Sequence, residues 1–326
     1  MEVQQRRVQT GILETFYHEC GAADGTPVLL LHGSGPGANA WSNLQFALPF
    51  LGEGYRTLAP DIAGFGESHH PGPELPTGAV NWIDVWCRQM IDLLDALGID
   101  KAHLVGNSMG GGVSLQLLRR HPERFERVVL MGAVGVPFEA PESLQRGWGY
   151  YQNGTQEELV FLVSRFLHDP SILGGDVEAI AEARYKLVMQ DAVRTQYEAM
   201  FPGPAQDHVD AFVVPPAELA AMQHPALVTH GREDYFIPLA NSSTWASICR
   251  MRSCTCSTTA GTGSRSSSAL HSINSCAIFL TGVSADGQIA RCHEKSPGNC
   301  RGFFRMALAA RYADRAARWL NRPAGL

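Results

Sequence analysis

Lysine is nearly missing from this chain: 23 of the 26 basic residues are Arg and 3 are Lys, a bias that points to GC-rich codons. Cysteine is scarce where it would be expected to help a core. Cys20 and Cys87 precede residue 248, whereas Cys249, Cys254, Cys256, Cys276, Cys292 and Cys300 crowd into the last 79 positions. No run approaches the ~18 consecutive apolar residues of a membrane span. Charge of one sign is not in large excess either. The net value of −6 gives no electrostatic footprint for nucleic acid. The polar start, Met1 to Thr10, has no apolar core of a secretory signal, so the expected compartment is the cytoplasm.

What is present reads as an ordinary globular chain. Apolar residues make up 45% and charged residues 18%, which excludes a disordered polymer. A length of 326 residues suits one large domain with an insertion, or two modest domains. The late cysteines do not make a metal site, because Cys254-Thr-Cys256 has one intervening residue where zinc pairs want two to four. Disulfides do not fit a chain without an export signal.

Pro27-Val28-Leu29-Leu30-Leu31 is a short apolar run closed by Gly and Pro, the pattern of a buried parallel strand. Tyr55 to Ala59, Ala102 to Val105, Arg127 to Met131 and Ala226 to Thr229 repeat it. Asn81 to Leu97 carries Trp82, Val85, Trp86, Met90, Leu93, Leu94 and Leu97 at helical spacing and ends on Gly98. Met109 to Arg120 is a helix directly after a strand. Strands alternating with helices predict a mostly parallel sheet covered on both faces. From Pro137 to about Pro216 the chain is helical and aromatic-rich, which predicts an inserted cap. From Asn241 to Ile278 periodicity disappears, and 11 of the 37 residues from Ser242 to Ile278 are Ser. Phe303 to Leu320 reads as an Arg-rich helix ending before Pro323.

Gly106-Asn107-Ser108-Met109-Gly110 is a G-x-S-x-G sequence set between a strand and a helix. Glycines let helix and strand approach, the Ser hydroxyl is held above the sheet, and the next N–H faces an oxyanion. Ser108 is therefore the candidate nucleophile. The alternative is a serine that merely caps a helix. His32-Gly33-Ser34-Gly35-Pro36-Gly37 follows the first buried strand and can turn N–H groups toward the same point. It is not a phosphate cradle, since no Lys follows in P-loop fashion. Asp61 precedes the serine and is read as structural, because this architecture runs Ser, acid, His. Asp234, in His230-Gly231-Arg232-Glu233-Asp234 just past the last strand, is the candidate acid that orients an imidazole.

Taken together, His32-Gly-Ser-Gly-Pro-Gly37, Trp41-Ser-Asn43, Pro60-Asp-Ile-Ala-Gly-Phe-Gly-Glu-Ser68, Gly106-Asn-Ser-Met-Gly-Gly-Gly112, His121-Pro-Glu-Arg124 and His230-Gly-Arg-Glu-Asp234 resemble one group of α/β-hydrolases. These are the hydrolases that cleave meta-ring-fission products in bacterial aromatic degradation. The resemblance runs from roughly Thr10 to Ser242. It implies an α/β-hydrolase fold with residues 1–136 and 216–282 forming the core and 137–215 a helical cap. It also implies backbone N–H groups of Ser34 and Met109 as oxyanion donors, with Asn43 and Asn107 at the polar end of the substrate. Arg184 is implied as the partner of the substrate carboxylate, a task a planar guanidinium performs in bidentate fashion. Trp148, Phe161, Met189 and Phe201 of the cap either line an apolar pocket or simply pack.

The resembled group places its triad histidine in a Gly-His-Trp about 28 residues after the acid, which lands here on Thr262. No such motif occurs, and His271 and His293 stand in other contexts. Back-translating Ala246 to Gly263 with GC-rich codons and regrouping the bases in an adjacent frame permits the reading QHLPDAELHVFDNGGHW. That is a turn, a strand and a Gly-His-Trp at the expected offset. Residues 243–278 are accordingly read as out-of-frame, with the frame returning near Phe279-Leu280-Thr281-Gly282, and 283–326 as an atypical Arg-rich tail.

The implied reaction is hydrolysis of a carbon–carbon bond in a 2-hydroxy-6-oxohexa-2,4-dienoate, with no metal or organic cofactor, no nucleic acid and no membrane partner. Homo-oligomers are common in the resembled group. Two other readings stand beside it: a carboxylesterase using the same Ser and Asp, and a dienoate-binding chain without a working triad.

Overall fold

The five apolar segments become the parallel strands β3 (Pro27–Leu31), β4 (Arg56–Pro60), β5 (Ala102–Asn107), β6 (Phe125–Met131) and β7 (Ala226–His230). The computed structural model describes residues 2–166 except Pro71 and Pro73, 176–248 except Arg232, and the pair Ser257–Thr258. These belong to one unit, Met1–Gln288; a second unit, Ile289–Leu326, lies outside the described residues, as do His271, His293 and the Arg-rich helix.

An antiparallel hairpin precedes the parallel strands: β1 (Gln4–Thr10) pairs with β2 (Leu13–Cys20) in a register closed by Thr10 opposite Leu13. The sequence did not advertise it. β1 is a polar, Arg-bearing edge, and β2 is buried along nearly its whole length, so neither alternates cleanly. With the short β8 (Ser257–Thr258) the order is β1-β2-β4-β3-β5-β6-β7-β8. The chain runs from β3 to β4 on one side, then crosses back by α3 (Ala79–Ala96) to β5 on the other side of β3. The crevice beyond the β3 and β5 ends is thus the switch point where open sheets place ligands.

Alternate residues of β3 serve opposite faces. Leu29 and Leu31 join the large cluster beneath α3 (Ala79–Ala96) and α4 (Met109–Arg120). Val28 and Leu30 join a second cluster with α1 (Ala40–Leu44) and α2 (Ala47–Leu51). Burial on both faces is why the strands read as unbroken apolar runs. In α3, Trp82 and Trp86 are fully buried, and each indole N–H finds a carbonyl, Pro76 O at 2.6 Å and Ala63 O at 2.9 Å.

Between β6 and β7 come α5 (Glu142–Trp148), α6 (Gln156–Phe166), α7 (Val177–Val188), α8 (Asp191–Met200), α9 (Ala205–Phe212) and α10 (Pro216–Ala221). Tyr150, Leu159, Leu162, Val163, Ala181 and Val188 form a small core of their own within this insertion. Periodicity is lost after Asn241 as expected, yet α11 (Leu239–Ile248) is helical through that point. Tertiary contacts hold it: Asn241 Nδ2 donates to Ala133 O at 2.6 Å, and Trp245 is buried against the cluster beneath α4.

Candidate active site

Ser108 is the one non-glycine residue with a positive φ among the described residues, at φ 54° and ψ −117°. Such a conformation costs on the order of 1–3 kcal/mol and persists only where the surroundings over-determine it. Here they do. Ser108 N–H donates to Met131 O at 2.8 Å, and its carbonyl accepts from Gly111, Gly112 and Val134 N–H at 3.0, 3.2 and 3.3 Å. The flanking glycines are required by crowding: a Cβ at Gly110 would lie 2.3 Å from Leu31 O, and one at Gly106 2.5 Å from Gly110 O. The elbow predicted from G-x-S-x-G is thus a strained turn that lifts Ser108 to the N-terminus of α4. The Met109 N–H has no partner among the described residues, as an oxyanion donor requires.

Strand register brings the other parts to the same place. Leu31 stands opposite Gly106, Asn107 opposite Met131, and Met131 opposite Thr229, so the loops after β3, β5, β6 and β7 converge. In the β3 loop, Gly33 lies so close to the elbow that a Cβ there would be 3.4 Å from Ser108 Cβ, Asn107 Nδ2 and Asn43 Oδ1. Asn43 accepts from Gly33 N–H at 3.2 Å, while its amide nitrogen donates to Asn39 O and Ser42 Oγ. It therefore positions the loop. Ser34 N–H, like Met109 N–H, has no partner among the described residues.

Asp234 sits past the end of β7, against Gly132, where a Cβ would come within 3.0 Å of its Oδ2. Its Oδ1 accepts from Phe236 and Ile237 N–H at 2.8 and 2.9 Å, and its Oδ2 lies 3.3 Å from His230 Nε2. Asp61 is different. Both its oxygens accept backbone N–H, from Ala40 at 2.7 Å and Glu67 at 2.9 Å, in a buried setting that pushes its pKa up despite those bonds. It ties two loops together, the structural role expected of it.

Arg184, on α7, lies over the β3 loop, with its Cγ 3.2 Å from where a Cβ at Gly37 would stand. No carboxylate is within ion-pair distance of it among the described residues, and burial lowers its pKa. Its guanidinium is thus left without an anionic partner among the described residues, in surroundings that disfavour its charge.

These features agree with what the chain is similar to. The alpha/beta hydrolase fold family matches residues 26–259. The 2-hydroxymuconate semialdehyde hydrolase of Pseudomonas sp. (strain CF600) is 41% identical over 245 residues, 75% of this chain and 82% of that one. The 2-hydroxy-6-oxo-2,4-heptadienoate hydrolase of Pseudomonas putida is 39% identical over 73% of this chain and 82% of its own length. The chain belongs to the α/β-hydrolases, in the group of meta-cleavage product hydrolases. The crystal structure of a serine hydrolase from the polyaromatic hydrocarbon-degrading bacterium Cycloclasticus zankles is 49% identical. It superposes with a TM-score of 0.81, covering 86% of this chain and 99% of that one.

In this hydrolase two histidines beside the site are occupied elsewhere. His32 Nε2 accepts from Ile62 N–H at 2.9 Å, so its Nδ1–H donates to Gly33 O at 2.7 Å, and full burial lowers its pKa to about 4. His230 Nε2 lies 2.9 Å from Ile237 O, and its Nδ1 2.6 Å from Ser242 Oγ. Both rings are held by these hydrogen bonds as struts at strand ends. Ser108 Oγ has no imidazole partner among the described residues, and His271, His293 and the position of the expected Gly-His-Trp lie outside them.

Sequence reasoning missed two further contributors, Tyr197 and Gln89, and gave Trp148 only as a pocket-lining or packing residue. Trp148 Nε1 donates to Ser34 Oγ at 2.7 Å, and the Tyr197 hydroxyl lies 2.9 Å from Ser34 O and 2.8 Å from Gly147 O. Gln89 Nε2 donates to Asp61 O at 3.0 Å while its Oε1 accepts from Ala63 N–H at 2.8 Å. No local motif signals such contacts. Of the cap residues singled out earlier, Trp148 and Phe201 stack with centroids 5.0 Å apart, Phe161 lies under the Arg146 guanidinium, and Met189 is exposed.

Proposed function

We infer that this hydrolase cleaves the carbon–carbon bond of a 2-hydroxy-6-oxohexa-2,4-dienoate, giving 2-hydroxypenta-2,4-dienoate and a carboxylic acid. The observation that carries the reading is Arg184, packed over the oxyanion loop with no anionic partner among the described residues, above a strained Ser108. A neutral ester would give Arg184 nothing to bind, whereas a dienoate brings a carboxylate to it and a ketone to Ser108. After ketonisation of the dienol, the bond to be broken lies next to an electron sink. Ser108, or a water activated in its place, then attacks the C6 carbonyl. Ser34 and Met109 N–H groups stabilise the oxygen that becomes negative, and Asp234 orients the imidazole that moves the protons. One water supplies the OH of the carboxylic acid and, through the imidazole, the proton taken up by the dienoate carbon when the C5–C6 bond breaks.

We infer that the working protein is read in the regrouped frame over residues 243–278, which supplies the imidazole where this sequence has Thr262. In support, β8 pairs with β7 at Thr229 and His230 and falls at the end of the regrouped strand LHVFD, four positions before the regrouped histidine. Reading the coding DNA tests this directly, and an in-frame sequence without compensating insertions or deletions sinks it.

The reaction is tested by mixing purified protein with dienoates that differ at C6 and following loss of the dienolate absorbance. Turnover of a dienoate, abolished in Ser108→Ala, is the expected result. Hydrolysis of neutral esters with no response to any dienoate would overturn the assignment in favour of a carboxylesterase.

A further inference from the structure

The oxyanion loop is gripped from two sides. From the core, His32 Nδ1–H takes the Gly33 carbonyl at 2.7 Å and Asn43 takes the Gly33 N–H at 3.2 Å. The Gly33 carbonyl shares its peptide plane with the Ser34 N–H, and in a trans peptide the two point opposite ways. Holding one therefore aims the other. From the cap, the next two polar groups are held: Trp148 on α5 donates to Ser34 Oγ at 2.7 Å, and the Tyr197 hydroxyl on α8 reaches Ser34 O at 2.9 Å. The same hydroxyl lies 2.8 Å from Gly147 O, so its single proton is shared between the loop and α5.

Both cap residues are themselves well fixed. Trp148 stacks on Phe201 at an interplanar angle of 7°, and α5 is braced by a two-pronged pair from Arg146 Nε and Nη2 to Glu158 at 2.6 and 2.7 Å. Trp148 and Tyr197 are buried. Every cap hydrogen bond to the loop thus falls on Ser34, the loop residue whose own N–H is left without a protein partner among the described residues. Three of the five residues from Gly33 to Gly37 are Gly, so the loop has little stiffness of its own.

We propose that Trp148 and Tyr197 are positioning residues for the oxyanion hole: with the cap seated, they fix Ser34 so that its N–H meets the C6 oxygen. This deepens the dienoate reading and rests on it. It makes the cap a structural part of the catalytic floor. Tyr197 also neighbours Arg184, so the group that grips the substrate carboxylate and the group that fixes the oxyanion donor are adjacent on the cap.

Ser34→Ala, Tyr197→Phe and Trp148→Phe each delete one hydrogen bond, the first two with almost no change of volume. Hydrogen bonds to the C6 oxygen polarise the conjugated chromophore, so the absorbance shift of bound dienolate reports the hole even without turnover. In Ser34→Ala and Tyr197→Phe, kcat should fall about 10-fold or more and the shift should shrink, with KM and Kd within about threefold. The Ser34→Ala/Trp148→Phe double variant should be no worse than the poorer single, because both remove the same bond. Unchanged kcat and shift in all variants would overturn the proposal. So would loss of dienoate affinity and of thermal stability in step with kcat, the mark of plain packing. If the unaltered protein shifts no dienoate spectrum, the substrate reading fails instead. The clamp is then judged by amide hydrogen exchange over residues 32–38: faster exchange in Trp148→Phe and Tyr197→Phe upholds it, and unchanged exchange overturns it.

Discussion

Two loops follow parallel strands at the same end of the sheet, and each carries an aspartate that accepts two backbone N–H groups. After β4, Asp61 spends both oxygens on the backbone, one on Ala40 and one on Glu67. After β7, Asp234 places both bonds on Oδ1, from Phe236 and Ile237, and its Oδ2, 3.3 Å from His230 Nε2, is the oxygen left for the proposed triad imidazole. Asp61 is 2% exposed, whereas the Asp234 side chain is 23% exposed. Counting hydrogen bonds therefore does not separate the structural carboxylate from the one proposed for catalysis. Which lone pairs remain, and what they face, does.

The largest expected effect is at Ser108, on which the proposed chemistry depends. Ser108→Ala should reduce kcat on a dienoate by about 10⁵-fold or more, read as loss of dienolate absorbance. Asp234→Asn should cost about 10³–10⁴-fold in kcat with little change in denaturant midpoint, since one oxygen still accepts the two loop N–H groups. Asp61→Asn should reverse that pattern. An amide cannot accept at both positions, so stability should fall by about 2–4 kcal/mol in denaturant titrations while kcat stays within about threefold. Comparable kcat losses in the two aspartate variants would erase the distinction.

Arg184→Gln extends the test to the substrate side: kcat/KM for a dienoate should drop about 100-fold, and that for a neutral ester should stay within about threefold. The smallest effect concerns the strut under the oxyanion loop. His32 is held neutral by burial, with its pKa lowered from 6.5 to about 4. Below pH 6.5 the unfolded chain binds a proton that the folded chain refuses, so stability present at neutral pH is lost as pH falls toward 4. Over that window the contribution of His32 is about 2–3 kcal/mol. Denaturant midpoints at pH 7 and 4.5 should differ less in His32→Gln than in the unaltered protein.

Much of this was legible in the residues. Five parallel strands, the long amphipathic helix and the elbow at Ser108 follow from apolar runs, helical spacing and glycines that a close helix–strand approach demands. The hairpin of β1 and β2 was not legible, because a polar edge and a strand buried along its length both lack alternation. Nor was α11 beyond Asn241. That helix is fixed by Asn241 reaching Ala133 O and by Ser242 meeting His230, contacts more than a hundred and about a dozen residues apart in the chain.

The chain order of Ser108 and Asp234, and their placement at strand ends, were set by the sequence alone, since strand length and turn chemistry are local properties. Which carboxylate is saturated, which histidines are locked as struts, and which cap side chains reach Ser34 were decided by tertiary structure. Those depend on the direction of single lone pairs and N–H bonds. Direction is a product of packing between segments as distant in the chain as Ser34 and Tyr197.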